Sequence, residues 1–401
     1  MPSKSVSFFS GNASVLELAS WFAVSKGQNA KEGEFYKTTT ELLAQENHTG
    51  VLSLFAKESG AMLEAEEKDM EALYNLMIAL IHDAKPEEVA GLSATIVKPI
   101  MESSAEHAHV KLRILSNLYN SFDATFSGRY EVFTAIVAVA GKADEMEIVV
   151  PQLAALDSWI AEWGVTGNKS RALYLLISEQ LEKSENFKRE AYEFLLKYLS
   201  TFDGDSKAAA AAKDHALRAI KSAISIPTVL AFDELHKLDA VQALKSTKNF
   251  ELLTIFLEGS LKQYHDFVKA NPKFIAENGL SEEDCQSKMR LLSFASLAAS
   301  NVQGEVPYAT IASALDVSID DVEVWVINTI RAGLVDAKMN QLKQTVVVSR
   351  SVHRVFTDAE WKTLQARLEA WRVNLKEVLT VVGNAKLING GGATVEAVVQ
   401  Q

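Results

Sequence analysis

The chain has 401 residues, with 40 Lys and Arg against 52 Asp and Glu and a formal charge of −12. That length exceeds one compact core, so two domains or an elongated repeat are expected, and the charge argues against a general binder of nucleic acid or anionic membrane. Cys285 is the only cysteine, which excludes an intrachain disulfide and a cysteine-based zinc site and fits a reducing compartment.

With only 7 Pro and 19 Gly among many Ala, Leu, Glu and Lys, helix should dominate. The first residues, 1–13, read as a flexible start without the apolar core of a signal peptide. No run approaches the ~20 apolar residues of a membrane span, so a cytoplasmic location is expected. From residue 14 to 286 the chain reads as amphipathic helices separated by short breakers, among them 64–82, 86–101, 107–122, 129–140, 147–163, 169–183 and 187–202. In 107–122, Val110, Ile114, Leu115, Leu118 and Phe122 form one broad apolar stripe that needs neighbours. Glycines and prolines punctuate the run, so helices pair as hairpins in units of roughly 35 to 40 residues, an α-solenoid without the tetratricopeptide pattern.

Residues 287–357 read as a winged helix. Lys288–Ala299 forms one amphipathic helix, and after Gly304 and Pro307 a short helix at Tyr308–Leu315 presents Ile311 and Leu315. A turn at 316–318 leads to Ser318 as N-cap, followed by Asp320 and Asp321 in a first turn where carboxylates suit the helix dipole. Val322, Trp325, Val326, Thr329 and Ile330 then fall on one stripe, and Gly333 is the C-terminal stop. Two β-prone runs, Leu334–Met339 and Gln344–Ser349, surround a polar turn as a hairpin requires.

A winged helix that reads DNA needs donors and positive charge on its third helix. Here Asp320, Asp321 and Glu323 oppose a single Arg331, so repulsion from phosphate wins and sequence-specific DNA is excluded as a partner. The domain is expected to bind protein instead, pairing an open sheet edge through Leu334, Val335, Lys338, Val346 and Val348. Lys338, Lys343, Arg350 and Arg354 are the candidates for contact with RNA or an acidic partner, too scattered for a full nucleic-acid footprint.

The last helix, 358–382, places Trp361, Leu364, Leu368, Trp371, Leu375, Val378 and Val382 at alternating spacings of 3 and 4, a heptad seam. At 1.5 Å per residue it runs roughly 35 Å, longer than the winged domain covers. Its first turn or two should pack back on that domain, and Trp371, Leu375, Val378 and Val382 should meet helices of other chains. A Gly-rich stretch makes 383–401 read as a flexible tail.

No catalytic, metal or cofactor-binding residue is assigned, and no enzymatic activity is expected. His107 and His109 open the His-x-His of a zinc isopeptidase, but the later Ser and Asp positions hold Asn117 and Asn120, and residues two apart on a helix point about 200° apart. His48, His82, His215, His236, His265 and His353 are isolated, and no phosphate-loop or dinucleotide fingerprint occurs. Acidic clusters at 233–234 and 282–284 suit solvated helix starts.

A helical solenoid, a winged helix and a closing helix together resemble the PCI domain, shared by the proteasome lid, the COP9 signalosome and eukaryotic translation initiation factor 3. More narrowly, the segments 288–294 (KMRLLSF), 321–327 (DVEVWVI), 346–356 (VVVSRSVHRVF) and 368–375 (LEAWRVNL) resemble the initiation factor's subunit M family, and 112–120 (LRILSNLYN) and 159–163 (WIAEW) agree. The resemblance implies a non-catalytic scaffold subunit without cofactors. Its partners would be other PCI-domain and MPN-domain subunits and, through the complex, the small (40S) ribosomal subunit, in support of mRNA and initiator-tRNA recruitment. It also implies that the wing meets a neighbouring winged helix and that the seam joins a helical bundle. The alternatives are a PCI scaffold of the COP9 signalosome (seventh-subunit type) or proteasome lid, and a direct RNA-binding protein.

Overall fold

The computed structural model describes residues 12–81, 84, 86–204, 209, 211–302, 304–355 and 358–389. Among them the chain is all-α apart from one small sheet, as expected. It forms two compact units: Met1–Val229 with Lys237–Phe250, and Leu230–His236 with Glu251–Gln401. The second unit takes in helices that the sequence reading assigned to the solenoid, so it begins well before residue 287. Of the two segments expected to be flexible, residues 1–11 and 390–401 lie outside the described residues, as does His82.

The first unit is a run of helices: α1 (Asn12–Ser25), α2 (Glu34–Ala44), α3 (His48–Glu58), α4 (Glu67–Ile81), α5 (Pro86–Glu102), α6 (Ala108–Ser121), α7 (Arg129–Lys142), α8 (Leu156–Glu162), α9 (Asn168–Glu182), α10 (Lys188–Ser200) and α11 (Lys213–Ser225). The apolar stripe of α6 is buried throughout, Val110 to Phe122 included. Phe22, Phe35 and Phe55 tie the first three helices together, with ring centroids 5.2–5.9 Å apart. The segment 147–163 is not one helix. Pro151 has no N–H to give to a continuing ladder, so two 3₁₀ turns (Met146–Ile148 and Val150–Ala155) precede the short α8. Trp159 and Trp163 from that region pack on Tyr119 and Phe133.

Alternate helices of this unit lie parallel, and their surface pairs show the register. His109 meets Glu67, Arg113 Nη1 meets Glu71 Oε2 at 2.8 Å, and Asn117 Nδ2 donates to Asn75 Oδ1 at 3.1 Å, so each step of four along α6 matches a step of four along α4. Lys169 with Glu131 (3.0 Å) and Lys197 with Asp157 (2.7 Å) repeat the device farther along. These partners stand 38–42 residues apart, which is the length of one helical pair. Exposed pairs of this kind contribute at most ~1 kcal/mol each; the buried stripes hold the unit together.

Along the chain α12 (Asp233–Lys237) and α14 (Lys248–Glu258) each span a boundary between the units' residue ranges, and α13 (Asp239–Gln242) between them belongs to the first unit. Next come α15 (Leu261–Ala270), started by a full capping box of Ser260 and Gln263, α16 (Phe274–Glu277) and α17 (Glu282–Ser300), N-capped by Ser281. The winged helix follows: β1 (Glu305–Pro307), α18 (Tyr308–Leu315), a 3₁₀ turn at Ile319–Asp321, α19 (Val322–Arg331), β2 (Val335–Asn340) and β3 (Thr345–Ser351). The wing therefore has three strands rather than two, in the order β1-β3-β2 and antiparallel throughout. Ser318 caps the 3₁₀ turn that leads into α19, its Oγ accepting from the Asp321 N–H at 3.3 Å, and α19 itself starts without a side-chain cap. Gly333 ends that helix at φ +75°, where a Cβ is disfavoured.

The final helix, α20, runs Asp358–Asn389, about 48 Å. It passes the expected end at Val382 and takes the start of the expected tail with it. Gly383 costs only about 1 kcal/mol in a helix, and the following Ala, Lys and Leu carry it on.

Candidate subunit interfaces

The helix-turn-helix core is built as its spacing requires. Ile311, Leu315, Val322 and Val326 are fully buried, joined by Thr329, whose hydroxyl donates to the Trp325 carbonyl at 2.8 Å. Trp325 and Ile330, expected in the same core, are only half-buried. Trp325 instead lies beneath the Arg290 guanidinium, 5.2 Å from its ring centre, an arrangement worth ~0.5–1 kcal/mol near the surface. Glu323 is also engaged at home, accepting from the Tyr308 hydroxyl (3.1 Å) and from Gln341 Nε2 (2.8 Å).

The wing corrects the expected edge. β3 is the central strand, bonded by β1 on one side and β2 on the other, so its backbone has no free edge to offer. Val346 and Val348 are fully buried beneath it, and Leu334 and Val335 are buried as well. Of the five residues assigned to the edge, only Lys338 has an exposed side chain. β1 and β2 are the edge strands, and of the two β2 is the longer, with six residues whose outer backbone groups pair with no strand among the described residues.

The four basic candidates divide in the same way. Arg354 is structural. Its guanidinium donates to the carbonyls of Phe256 (2.5 Å), Gly259 (2.8 Å) and Ile255 (3.2 Å), and to Ser296 Oγ (3.2 Å). It thus closes the C-terminal end of α14, where unpaired carbonyls attract a cation. Burial pulls its pKa down to about 10, although Glu258 acts in the opposite sense; it stays charged at neutral pH. Arg350 Nε pairs with Asp336 Oδ2 at 2.8 Å across the sheet. Lys338 and Lys343 are exposed, too few to make a cationic track.

Among the described residues, α20 carries more of the exposed large apolar side chains than any other element. Trp361 is 60% exposed, Leu368 53%, Trp371 62% and Val378 57%, and Leu364, Leu375 and Val382 are exposed too. At the start of the helix, where docking onto the winged domain is expected, Trp361 and Leu364 are 60% and 39% exposed. Beyond Trp371 the apolar surface widens: Leu379 and Val381 join the seam residues, and both are exposed. A contiguous apolar surface of this kind marks an interaction site.

Among the described residues no group of three or more His, Cys, Asp or Glu is placed to hold a metal, and no helix is long and apolar enough to cross a membrane. His107 is the N-cap of α6 at φ +51°, and His109 pairs with Glu67.

Comparison with known proteins agrees with this geometry. Residues 261–350 match the model of the PCI domain, and residues 354–382 match the model described as "eIF3 subunit M, C-terminal helix". Three curated relatives are each a eukaryotic translation initiation factor 3 subunit M. That of Phaeosphaeria nodorum is 36% identical over 89% of this chain and 83% of its own length. The Neosartorya fischeri protein is 37% identical over 83% of this chain and 73% of its own. For Dictyostelium discoideum the identity is 34% over 80% of each.

Proposed function

Since the chain belongs to the eukaryotic translation initiation factor 3 subunit M family, we propose that it acts as a non-catalytic scaffold within that factor, joined to other PCI and MPN subunits mainly through the seam of α20. The observation that carries this reading is the exposure of Trp361, Leu364, Leu368, Trp371, Leu375, Val378 and Val382 along one helix. A helix with that pattern gains little by standing alone, whereas helices packed around it bury the whole row. The open backbone edge of β2 supplies a second contact, to the winged helix of a neighbouring subunit. In this role the subunit supports small-ribosomal-subunit binding and the recruitment of mRNA and initiator tRNA by holding the assembly together, in the cytoplasm.

The test is a double substitution, Leu375→Asp with Val378→Asp, in the full chain. Affinity purification followed by mass spectrometry should lose the other initiation-factor subunits, with a penalty of at least ~2 kcal/mol per lost anchor, while thermal melting of the purified chain stays unchanged. Unaltered recovery of those subunits, or recovery of signalosome or proteasome-lid subunits from the unsubstituted chain, would overturn the proposal.

A further inference from the structure

The third helix of the winged domain has a second apolar surface that neither its own core nor the α20 seam uses. Val322, Val326 and Thr329 turn inward, while Ile319, Val324 and Ile327 stand outside at 43–55% exposed. Helix and wing run antiparallel. At one end Leu334 N donates to the Thr329 carbonyl (3.3 Å), and at the other Gln341 Nε2 holds Glu323 (2.8 Å). This brings the turn between β2 and β3 beside the first turn of α19, and Leu342 at the tip of that turn is 100% exposed. An apolar strip thus runs from the wing tip along the outer side of the helix.

Its border is acidic. Asp316 at the end of α18 and Asp320 and Asp321 in the 3₁₀ turn before α19 are all exposed, Asp321 accepting from Ser318 Oγ at 2.7 Å, and Glu323 stands at the rim with its carboxylate held by Tyr308 and Gln341. Arg331 is the one basic residue of α19, at its far end, and Lys343 limits the acidic region at the wing turn. Lys338, Asp336 and Arg350 occupy alternate positions of the outer sheet face, away from this strip. Carboxylates around exposed aliphatic side chains repel phosphate and attract a cationic apolar ligand.

We propose that this face docks a basic amphipathic helix from a partner protein. Apolar residues of that helix, spaced three and four apart, lie against Val324, Ile327 and Leu342, and its flanking Lys or Arg meet Asp316, Asp320 and Asp321. The site is separate from the α20 seam, so it stands whichever assembly the seam joins.

The experiment uses the full chain in the assembly purified from cells, with a photo-crosslinking amino acid at Leu342 or, separately, at Ile327. Cross-linked products are identified by mass spectrometry. The expected product is a protein segment of net positive charge with apolar residues three and four apart. Adding Asp320→Lys and Val324→Lys, both at exposed positions, should cut its yield at least about fivefold with no change in the melting of the chain. A crosslinker at Leu375 reports the seam and should keep its yield. Cross-links to RNA, cross-links to a neutral or acidic segment, no cross-link, or a yield indifferent to the two Lys substitutions would each overturn the proposal.

Discussion

The winged-helix core and the final helix carry the same kind of message and meet opposite fates. In α19, apolar residues three and four apart bring Val322 and Val326 to complete burial; in α20, the same spacing leaves Trp371 62% exposed. Apolar periodicity therefore reports that a face is to be covered without saying by what. Length decides between the two. A helix of ten residues fits the domain that folds around it, whereas one of 32 residues outruns it.

The comparison can be broken by substitutions that separate folding from assembly. The largest effect is expected in the body of the second unit. Phe256, fully buried against Phe232 and Tyr264, should cost ~3–5 kcal/mol on replacement by Ala, read as a lower urea midpoint with loss of subunit binding. Arg354→Ala should cost about 2–3 kcal/mol, because a charged donor disappears from the end of α14. Arg354→Lys should restore only part of this, since an ammonium cannot reproduce the planar fork.

Lys288 sharpens the comparison from the other side. It is 3% exposed, its ammonium is 5.1 Å from the Phe232 ring centre, and burial lowers its pKa to about 7 despite the raising influence of Cys285. In the unfolded chain the group holds its proton up to about 10.5. The folded state thus loses its proton first, and stability rises with pH across that window. Lys288→Met should stabilise the unit by about 1–3 kcal/mol at or below pH 7, and its advantage over the parent should shrink between pH 7 and 10.5 in pH-dependent melting. A constant advantage would contradict the assignment. The smallest effect is Ser318→Ala, a lost N-cap worth ~1 kcal/mol, which should lower the melting temperature without touching subunit recovery.

Much of this was legible in sequence because it is local. The Ser318 cap, the Gly333 stop, the α19 stripe and the heptad after Trp361 all depend on neighbours within a turn or two. What was not legible depends on distant partners. β1 has three residues and ends in Pro307, too short for any alternation, yet inserting beside β3 it turns a supposed edge strand into the centre of the sheet. Arg354 looked like a surface base, since its acceptors lie 58–99 residues away. The spacing of the seam residues is local and legible, whereas which chain covers them depends on partners outside this one, and from Leu364 to Val382 they remain exposed here.

Backbone hydrogen exchange along residues 361–382 tests the central claim most directly, comparing the isolated full chain with the same chain in the purified assembly. An exposed helix frays and exchanges quickly, while one covered by neighbours opens only when they leave. The account predicts rapid exchange in the isolated chain and slowing by at least about a hundredfold in the assembly, with the protection of α17 and α19 unchanged. Equal protection of the seam in both states would contradict it.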